Sequence, residues 1–574
     1  MLGSVLDEFG YGGSAFMVRS LLIRNVYVLF VLVVLAGLAP LASAQLSAEE
    51  EAALASSSTP AAVAELPDDL LPGAQIVGDG QPLSLGEAVA LGIRNSLDIE
   101  VERFAPLIAE TRREGAWGAY NPLLSADATY NVTKSPNTFA LNDVSANRNR
   151  VQGGGVGIEQ LIPYLGSTIG LEFRQTDTVT RSAIQALDPQ FDASFFVTAR
   201  VPVARNLIWN EAWTNVKRTG LASAGSNFSF RESVMNTVQA TVTRYWNLVA
   251  ARDRVRVAQK SLETARALLE QTETQFEVGV VSRVEVVESE AGVAERESDL
   301  IRDANSYRNA QDQLIDIVLG SDLSVSMDLE FFPTEDPSAY QVRDVNLSSA
   351  IQEAFLKRPE LKIAENEIEQ RELELKFAKN QRLPQLDANI RFGFVGIAGR
   401  GNGGLSPAFG DPPGTSSRAD ASRDFFTGEG SDNLSVTGNF SIPIPNTAAR
   451  KGVQRGKFEL RRAESLRRRS EQVIILEVRD AARTLLSSAQ GIDAAERRRL
   501  SAAEQLRAQR IRLEHGESTP FEVLQREERL VEAENLQIIA LQTYRTAEAA
   551  LDRAQGTILE VYAVEIEEIQ GRDQ

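Results

Sequence analysis

A tandem duplication constrains this chain more than any other feature. Residues Leu85 to Tyr130 align without a gap on Leu347 to Phe392. Ala88 falls on Ala350, Val89 on Ile351, Asp98 on Glu360, Pro122 on Pro384, Leu124 on Leu386 and Ala126 on Ala388, at a constant offset of 262. A second block from Leu248 aligns with one from Leu485 at an offset of 237 and carries Gly279 onto Gly516. Any fold must therefore use one unit twice. The offset falls by 25 in the middle of the unit, where Pro122 to Pro202 spans 80 positions and Pro384 to Pro443 only 59. The first copy holds an insertion there, and the alternating run Ser167 to Phe173 after Gly166 reads as part of an extra hairpin.

Within each copy the hydrophobic period switches from helix to strand and back. Ala251, Val255, Ala258, Leu262, Ala265, Leu269, Thr272 and Phe276 follow the 3,4 spacing of a coiled-coil seam. Val478, Ala481, Leu485, Ser488, Ile492 and Ala495 repeat it in the second copy. Small residues alternate along both seams, which lets helices approach closely. Helices from about Leu207 to Val278 and Thr447 to His515 would each reach roughly 100 Å at 1.5 Å per residue. Shorter helices are expected at Leu85 to Ala119, Ser282 to Leu319, Leu347 to Gln381 and Pro520 to Ala554, two per copy stacked end to end beside each long one.

Between the helices the period is two. Leu124, Ala126, Ala128, Tyr130 and Val132 alternate with polar residues, as do Leu386, Ala388, Ile390, Phe392 and Phe394. Ala193, Phe195, Val197, Ala199 and Val201 form a third set, and Leu434, Val436, Phe440, Ile442 and Ile444 a fourth. Alternation over about ten residues fits strands with lipid on one side and water on the other, and equally one sheet of a sandwich. Their place between coiled-coil helices in an exported chain favours the membrane. Trp117, Tyr120, Trp209 and Trp213 flank the strands either as an interfacial belt or as packing at a strand–helix junction.

Export is read from Arg19 and Arg24 ahead of the apolar stretch Val26 to Leu38, which ends in Ala42-Ser43-Ala44. This makes residues 1–44 a signal peptide, with Met17 a plausible start, and 45–82 a flexible segment rich in Ala, Ser, Pro and acids. The first repeat then covers 83–320 with strands about 123–203, a linker 321–345, the second repeat 346–558 with strands about 385–444, and a tail 559–574. No apolar run is long enough to span a bilayer as a helix.

Composition excludes whole classes of function. A net charge of −19 argues against a nucleic-acid partner, which would need clustered Lys and Arg. The absence of Cys removes thiolate nucleophiles and Cys-ligated metal sites, and a single His, His515, leaves no nucleophile–base set, so no catalytic, cofactor or metal residues are expected. His515 suits a helix C-terminus, with pH sensing as the lesser alternative. The runs Arg467 to Arg469 and Arg497 to Arg499 lie among Glu residues and read as a solvated face. Gly399 to Gly404, continuing into Pro412-Pro413-Gly414, is loop composition and not a phosphate cradle.

The organisation from about Leu83 to Ile558 resembles the TolC-like outer-membrane efflux proteins, the outer membrane factors. Its tightest local match is the helix-tip turn, Val278-Gly279-Val280-Val281-Ser282 in the first copy and His515-Gly516-Glu517-Ser518-Thr519-Pro520 in the second. From the residues alone, Gly279 and Gly516 end a helix, Ser282 and Thr519 cap the next, and Glu285 and Glu522 occupy the third position after each cap. The resemblance implies a mainly α fold with membrane β: two repeats of long coiled-coil helices and amphipathic β-hairpins, assembled as a trimeric α/β-barrel duct. It implies a homotrimer in outer-membrane lipid with a periplasmic tunnel. A periplasmic adaptor (membrane fusion) protein and an inner-membrane pump are its implied partners, in efflux or type I secretion. Gly279, Ser282, Gly516, Thr519 and Pro520 then mark the adaptor-docking tip, and Glu285, Glu288 and Glu522 a candidate constriction. Gln525 and Ser518 depart from the pattern, where relatives can carry an acid and a basic residue. Two other classes compete: a periplasmic coiled-coil adaptor or scaffold without a barrel, and a secreted hydrolase.

Overall fold

The computed structural model describes residues 80–136, 146–180, 185–320, 330–401, 416–427 and 431–566. The signal peptide, most of the N-terminal segment, the Pro412 to Gly414 loop and the last eight residues lie outside them. The first repeat contains α1 (Leu85–Asn95), α2 (Leu97–Trp117), β2 (Leu123–Pro136), β3 (Ala146–Leu161), β4 (Thr168–Thr180), β5 (Leu187–Pro202), α3 (Glu211–Glu277) and α4 (Arg283–Leu319). The second contains α5 (Leu347–Lys357), α6 (Pro359–Gln381), β7 (Gln385–Gly401), α7 (Arg418–Thr427), β8 (Ser431–Ser441), α8 (Thr447–Glu514), α9 (Pro520–Gln555) and α10 (Ile558–Val561). Two short strands, β1 (Gln81–Leu83) and β6 (Phe331–Pro333), precede the repeats and pair in parallel.

Helices α3 and α8 run for 67 and 68 residues, about 100 Å each. Each has two shorter companions. Helix α2 packs on α3 near the sheet, where the Ser223 hydroxyl donates to Glu110 at 2.9 Å, and α4 packs along its other half. Helices α6 and α9 stand in the same relation to α8. The single helices expected at Leu85 to Ala119 and Leu347 to Gln381 are each broken in two. Ser96 (φ −62, ψ 120) and Arg358 (φ −68, ψ 122) are extended at equivalent positions. Pro359 disfavours a helical residue before it and explains the second break, while Ser96 adopts the same conformation without a proline.

The largest core surrounds Tyr245, Val242, Val249 and Leu314, where α3 and α4 meet α1, α10 and the β1–β6 pair. The Tyr245 hydroxyl donates to the Leu83 carbonyl at 3.1 Å, and Gln311 bonds both backbone groups of Phe331. The segment expected to be flexible as far as residue 82 thus ends in the ordered strand β1, because its backbone finds a partner strand. Leu559, placed in the expected tail, is buried in the same core.

The remaining strands form one antiparallel sheet in the order β2-β3-β4-β5-β7-β8. Among the described residues the first copy supplies four strands and the second two. The β3–β4 connection at the helical end is made by Tyr164 and Gly166, both at positive φ; a Cβ on Gly166 would sit 2.3 Å from the Asn206 carbonyl oxygen. Tyr120 and Trp213 are buried together at the strand–helix junction with Ala116 and Val216, while Trp117 and Tyr164 stack on Trp213 from a more exposed position. Junction packing therefore accounts for Tyr120 and Trp213.

Candidate functional site

Two features at opposite ends of the long helices carry the chemistry: an amphipathic sheet and a pair of helical tips. The sheet's register settles which side chains share a face. Leu124, Ile158, Leu171, Val197, Phe392 and Leu434 are successive cross-strand partners through all six strands. The next row on that face is Ala126, Val156, Phe173, Phe195 and Phe394. On the opposite face, the Arg174 guanidinium pairs with Asp127 at 2.9 Å, Arg200 with Asp387 at 2.8 Å and Arg391 with Glu172 at 3.5 Å. One side of the sheet suits hydrocarbon and the other suits water. Helix α7 lies across the end of the apolar face remote from the helices, with Ala421 buried against Ala193 and Ala398, and Arg418 paired to Asp177.

Both tips are built by the same backbone device. In the first, Val280 N–H donates to Gln275 O and Gly279 N–H to Phe276 O, with Gly279 at φ +80. In the second, Glu517 N–H donates to Arg512 O and Gly516 N–H to Leu513 O, with Gly516 at φ +73. These paired bonds close each helix in a left-handed glycine, as the sequence suggested. His515 approaches the Ile511 carbonyl through Nδ1 at 2.7 Å, a helix C-terminal contact.

The two tip acids at equivalent positions are used differently. Glu285 accepts from the Ser282 backbone N–H at 3.0 Å and completes a capping box. Thr519 caps α9 by accepting from Glu522 N–H, and Pro520 fills the first helical position. The Glu522 carboxylate, however, turns back across the hairpin and accepts from Ser518 Oγ and Gln509 Nε2, both at 2.8 Å. Glu288 is exposed on α4. The tips are packed together by Leu268 of α3 against Leu506, Leu513 and Val523 of α8 and α9.

At the level of the α5–α6 break, charges tie the repeats together. Arg358 is buried and donates to Glu360, to Glu477 at 2.7 Å and to the Ala554 carbonyl at 3.3 Å. Burial alone would raise Glu360, but the hydrogen bonds and charge of Arg358 outweigh it and hold the carboxyl below its ordinary range. Arg553 of α9 joins the same cluster and reaches Glu232 of α3, whose carboxyl burial pushes up. Among the described residues, no group of His, Asp and Glu is arranged to hold a metal ion, and no helix is long and apolar enough to cross a membrane.

Residues 214–318 and 350–557, more than half of the sequence, match the family described as outer membrane efflux protein. The chain belongs to that family. Solved structures agree on the fold. The Campylobacter jejuni outer membrane channel CmeC is 16% identical, with a TM-score of 0.56 over 83% of this chain and 86% of that one. The Vibrio cholerae outer membrane protein VceC is 13% identical, with a TM-score of 0.57 over 82% and 96%. The open state of the Neisseria gonorrhoeae channel MtrE is 15% identical, with a TM-score of 0.55 over 83% and 89%. No curated protein sequence matches the chain. This efflux protein is thus an outer-membrane exit duct, and the scaffold reading falls away; its family and the structures it resembles are those of channel proteins.

Strand β3 and the buried Glu527 of the efflux protein escaped sequence reasoning. Strand β3 was hidden because Gly153, Gly154 and Gly155 interrupt its alternation. Glu527, buried on α9, sits among charged neighbours; its signal is a 3,4 spacing from the buried Pro520 and Val523.

Proposed function

We propose that three copies of this efflux protein close their sheets into one barrel and their helices into one tunnel, through which solutes pass passively and without catalysis. The observation that carries this is the open amphipathic sheet. An unbroken apolar row from Leu124 to Leu434 crosses all six strands, yet among the described residues β2 and β8 have no partner on their outer sides, and every residue of β8 is exposed. In lipid each unpaired backbone group costs several kcal/mol, about the expense of a lost hydrogen bond in hydrocarbon. With six alternating strands, β8 runs opposite to β2, so head-to-tail copies can join β8 to β2 antiparallel all the way round. Three six-stranded sheets make eighteen strands, a number that leaves an aqueous lumen. The face bearing Asp127, Arg174, Glu172 and Arg391 would line it. Leu97, Val101, Phe104 and Ile108 of α2, an apolar stripe exposed on the single chain, would pack against the next copy.

In this reading the barrel sits in the outer membrane and the helices cross the periplasm. The tips at Gly279, Ser282, Gly516, Thr519 and Pro520 receive a periplasmic adaptor, which links them to an inner-membrane pump that supplies the energy. Glu288 and Glu522 narrow the resting tip. The test is the mass and shape of the detergent-purified protein by light scattering and electron microscopy. A trimer with eighteen strands is expected; a soluble monomeric rod, or a twelve-stranded barrel, would overturn the assembly as drawn.

A further inference from the structure

Helix α9 carries a buried acid, Glu527, where it packs between the two helical hairpins, and the seam it forms can be followed turn by turn. Leu524 lies over Gly292 of α4, where a Cβ would be 3.0 Å from its Cδ1. One turn further, Glu527 is only 4% exposed, and its Oε2 has no hydrogen-bond partner. Beyond it, Val531 and Asn535 line a cavity of about 90 Å³ with Ala258 and Ser261 of α3 and Arg296, Asp299, Arg302 and Asp303 of α4. Ser261 Oγ, Arg296 Nε and Asn535 Oδ1 are also buried without partners along this seam. Polar atoms so placed favour a seam that can part, because opening it would hydrate every one of them.

We propose that Glu527 is a protonation latch between the two helical hairpins: with its carboxyl neutral the seam closes, and ionisation loosens α9 from α3 and α4 and lets the tips separate. The groups facing it are Arg510 from α8, Arg296 from α4 and the Thr264 hydroxyl from α3. Arg296 is itself engaged by Asp299 at 3.3 Å, which weakens its pull on Glu527. Desolvation therefore prevails over both arginines and the hydroxyl, and the carboxyl is raised to about 7. An acid raised in the packed state stabilises that state fully below its ordinary value and progressively loses the contribution as pH climbs through the raised one. Acid closes the latch, and the rise to neutral pH releases it. The packed-to-open ratio falls by up to about two powers of ten across the titration.

The proposal rests on the tunnel reading of the chain, but its test reads the seam directly. The protein has no Cys, so V280C and E517C place spin labels on the two tips alone. In the detergent-purified full-length protein, the distance distribution between pH 4 and 8.5 is expected to shift outward as pH rises from the ordinary carboxyl value to about 7, and to change no further above it. In E527Q, an uncharged isostere, the distribution should stay at its acid-side value at every pH. R510Q, at an exposed site, should move the upper end of that shift to higher pH, because it removes a charge that favours the carboxylate. A pH-independent wild-type distribution, an inward shift, or a shift that survives in E527Q would overturn the latch. Planar-bilayer conductance on the same samples tests the duct separately: protein that never conducts counts against the duct, while the distances still judge the latch.

Discussion

The two repeats place equivalent residues at equivalent points and then use them differently. At the helix break the first repeat has Ser96 and Asp98, and the second has Arg358 and Glu360. Ser96 makes no side-chain cap, whereas Arg358 joins α6, α8 and α9 in one buried ion cluster. At the tips, the first is apolar, with Val278 and Val280 exposed, and the second is polar, with Glu522 bonded to Ser518 and Gln509. In the sheet, the first repeat has an extra hairpin, and the second has α7 between its strands. A duplication preserves the backbone devices, namely the break, the glycine turn and the strand, because each is fixed by local geometry. The side chains across them are free to diverge, so the break carries an ion cluster in the second repeat and none in the first, while the largest core lies in the first.

That asymmetry is broken most severely at Arg358. Arg358→Ala takes the buried guanidinium from half-buried Glu360, which keeps only Arg553 at 3.4 Å, and should cost about 2–3 kcal/mol, below the full loss of a severed buried pair, while Ser96→Ala should cost less than ~1 kcal/mol. Unfolding midpoints of the two variants would separate them. Equal midpoints would mean that the cluster contributes nothing beyond the break itself. Acid acts in the same sense as Arg358→Ala. Glu360 is held below its ordinary value, so its contribution is present at neutral pH and is lost as pH falls through the lowered one.

A smaller effect is expected where the repeats are alike. Gly279 and Gly516 have left-handed backbones with no other atom near a prospective Cβ, so Gly279→Val and Gly516→Val should each cost about 1–2 kcal/mol through conformation alone. Equal shifts in thermal midpoint would support identical turns under different side chains. A much larger penalty at one tip would show that a partner copy packs there.

What could be read beforehand follows the same division. The long helices, the glycine turns and the strands at Leu124, Ala193, Leu386 and Leu434 were legible, because periods of 3.5 and 2 and a glycine after a helix are local signals. The break at Arg358 could have been seen from Pro359, but the one at Ser96 follows from no residue that forbids a helix; it is visible only by analogy with its copy. Strand β3 was concealed by its three glycines, and α7 by the Gly- and Pro-rich sequence before it. The roles of Glu285 and Glu522 were not separable, since both stand three positions after a cap. Only the tertiary placement of Gln509 and Ser518 tells them apart.

The smallest effect on stability concerns those two acids, and it tests the comparison most finely. Glu285→Ala removes the reciprocal half of a capping box and should lower stability by ~0.5–1 kcal/mol with little change in conductance. Glu522→Ala deletes no backbone cap, because Thr519 still accepts from residue 522, so its stability change should stay within about 0.5 kcal/mol. Its loss frees Gln509 and Ser518 and removes a negative charge from the resting tip. Single-channel conductance in a planar bilayer should therefore rise in Glu522→Ala and rise no further in the double variant. If Glu285→Ala alone raised conductance while Glu522→Ala did not, the acid committed to the cap would be the one at the constriction, and the assignment of the two tips would have to be exchanged.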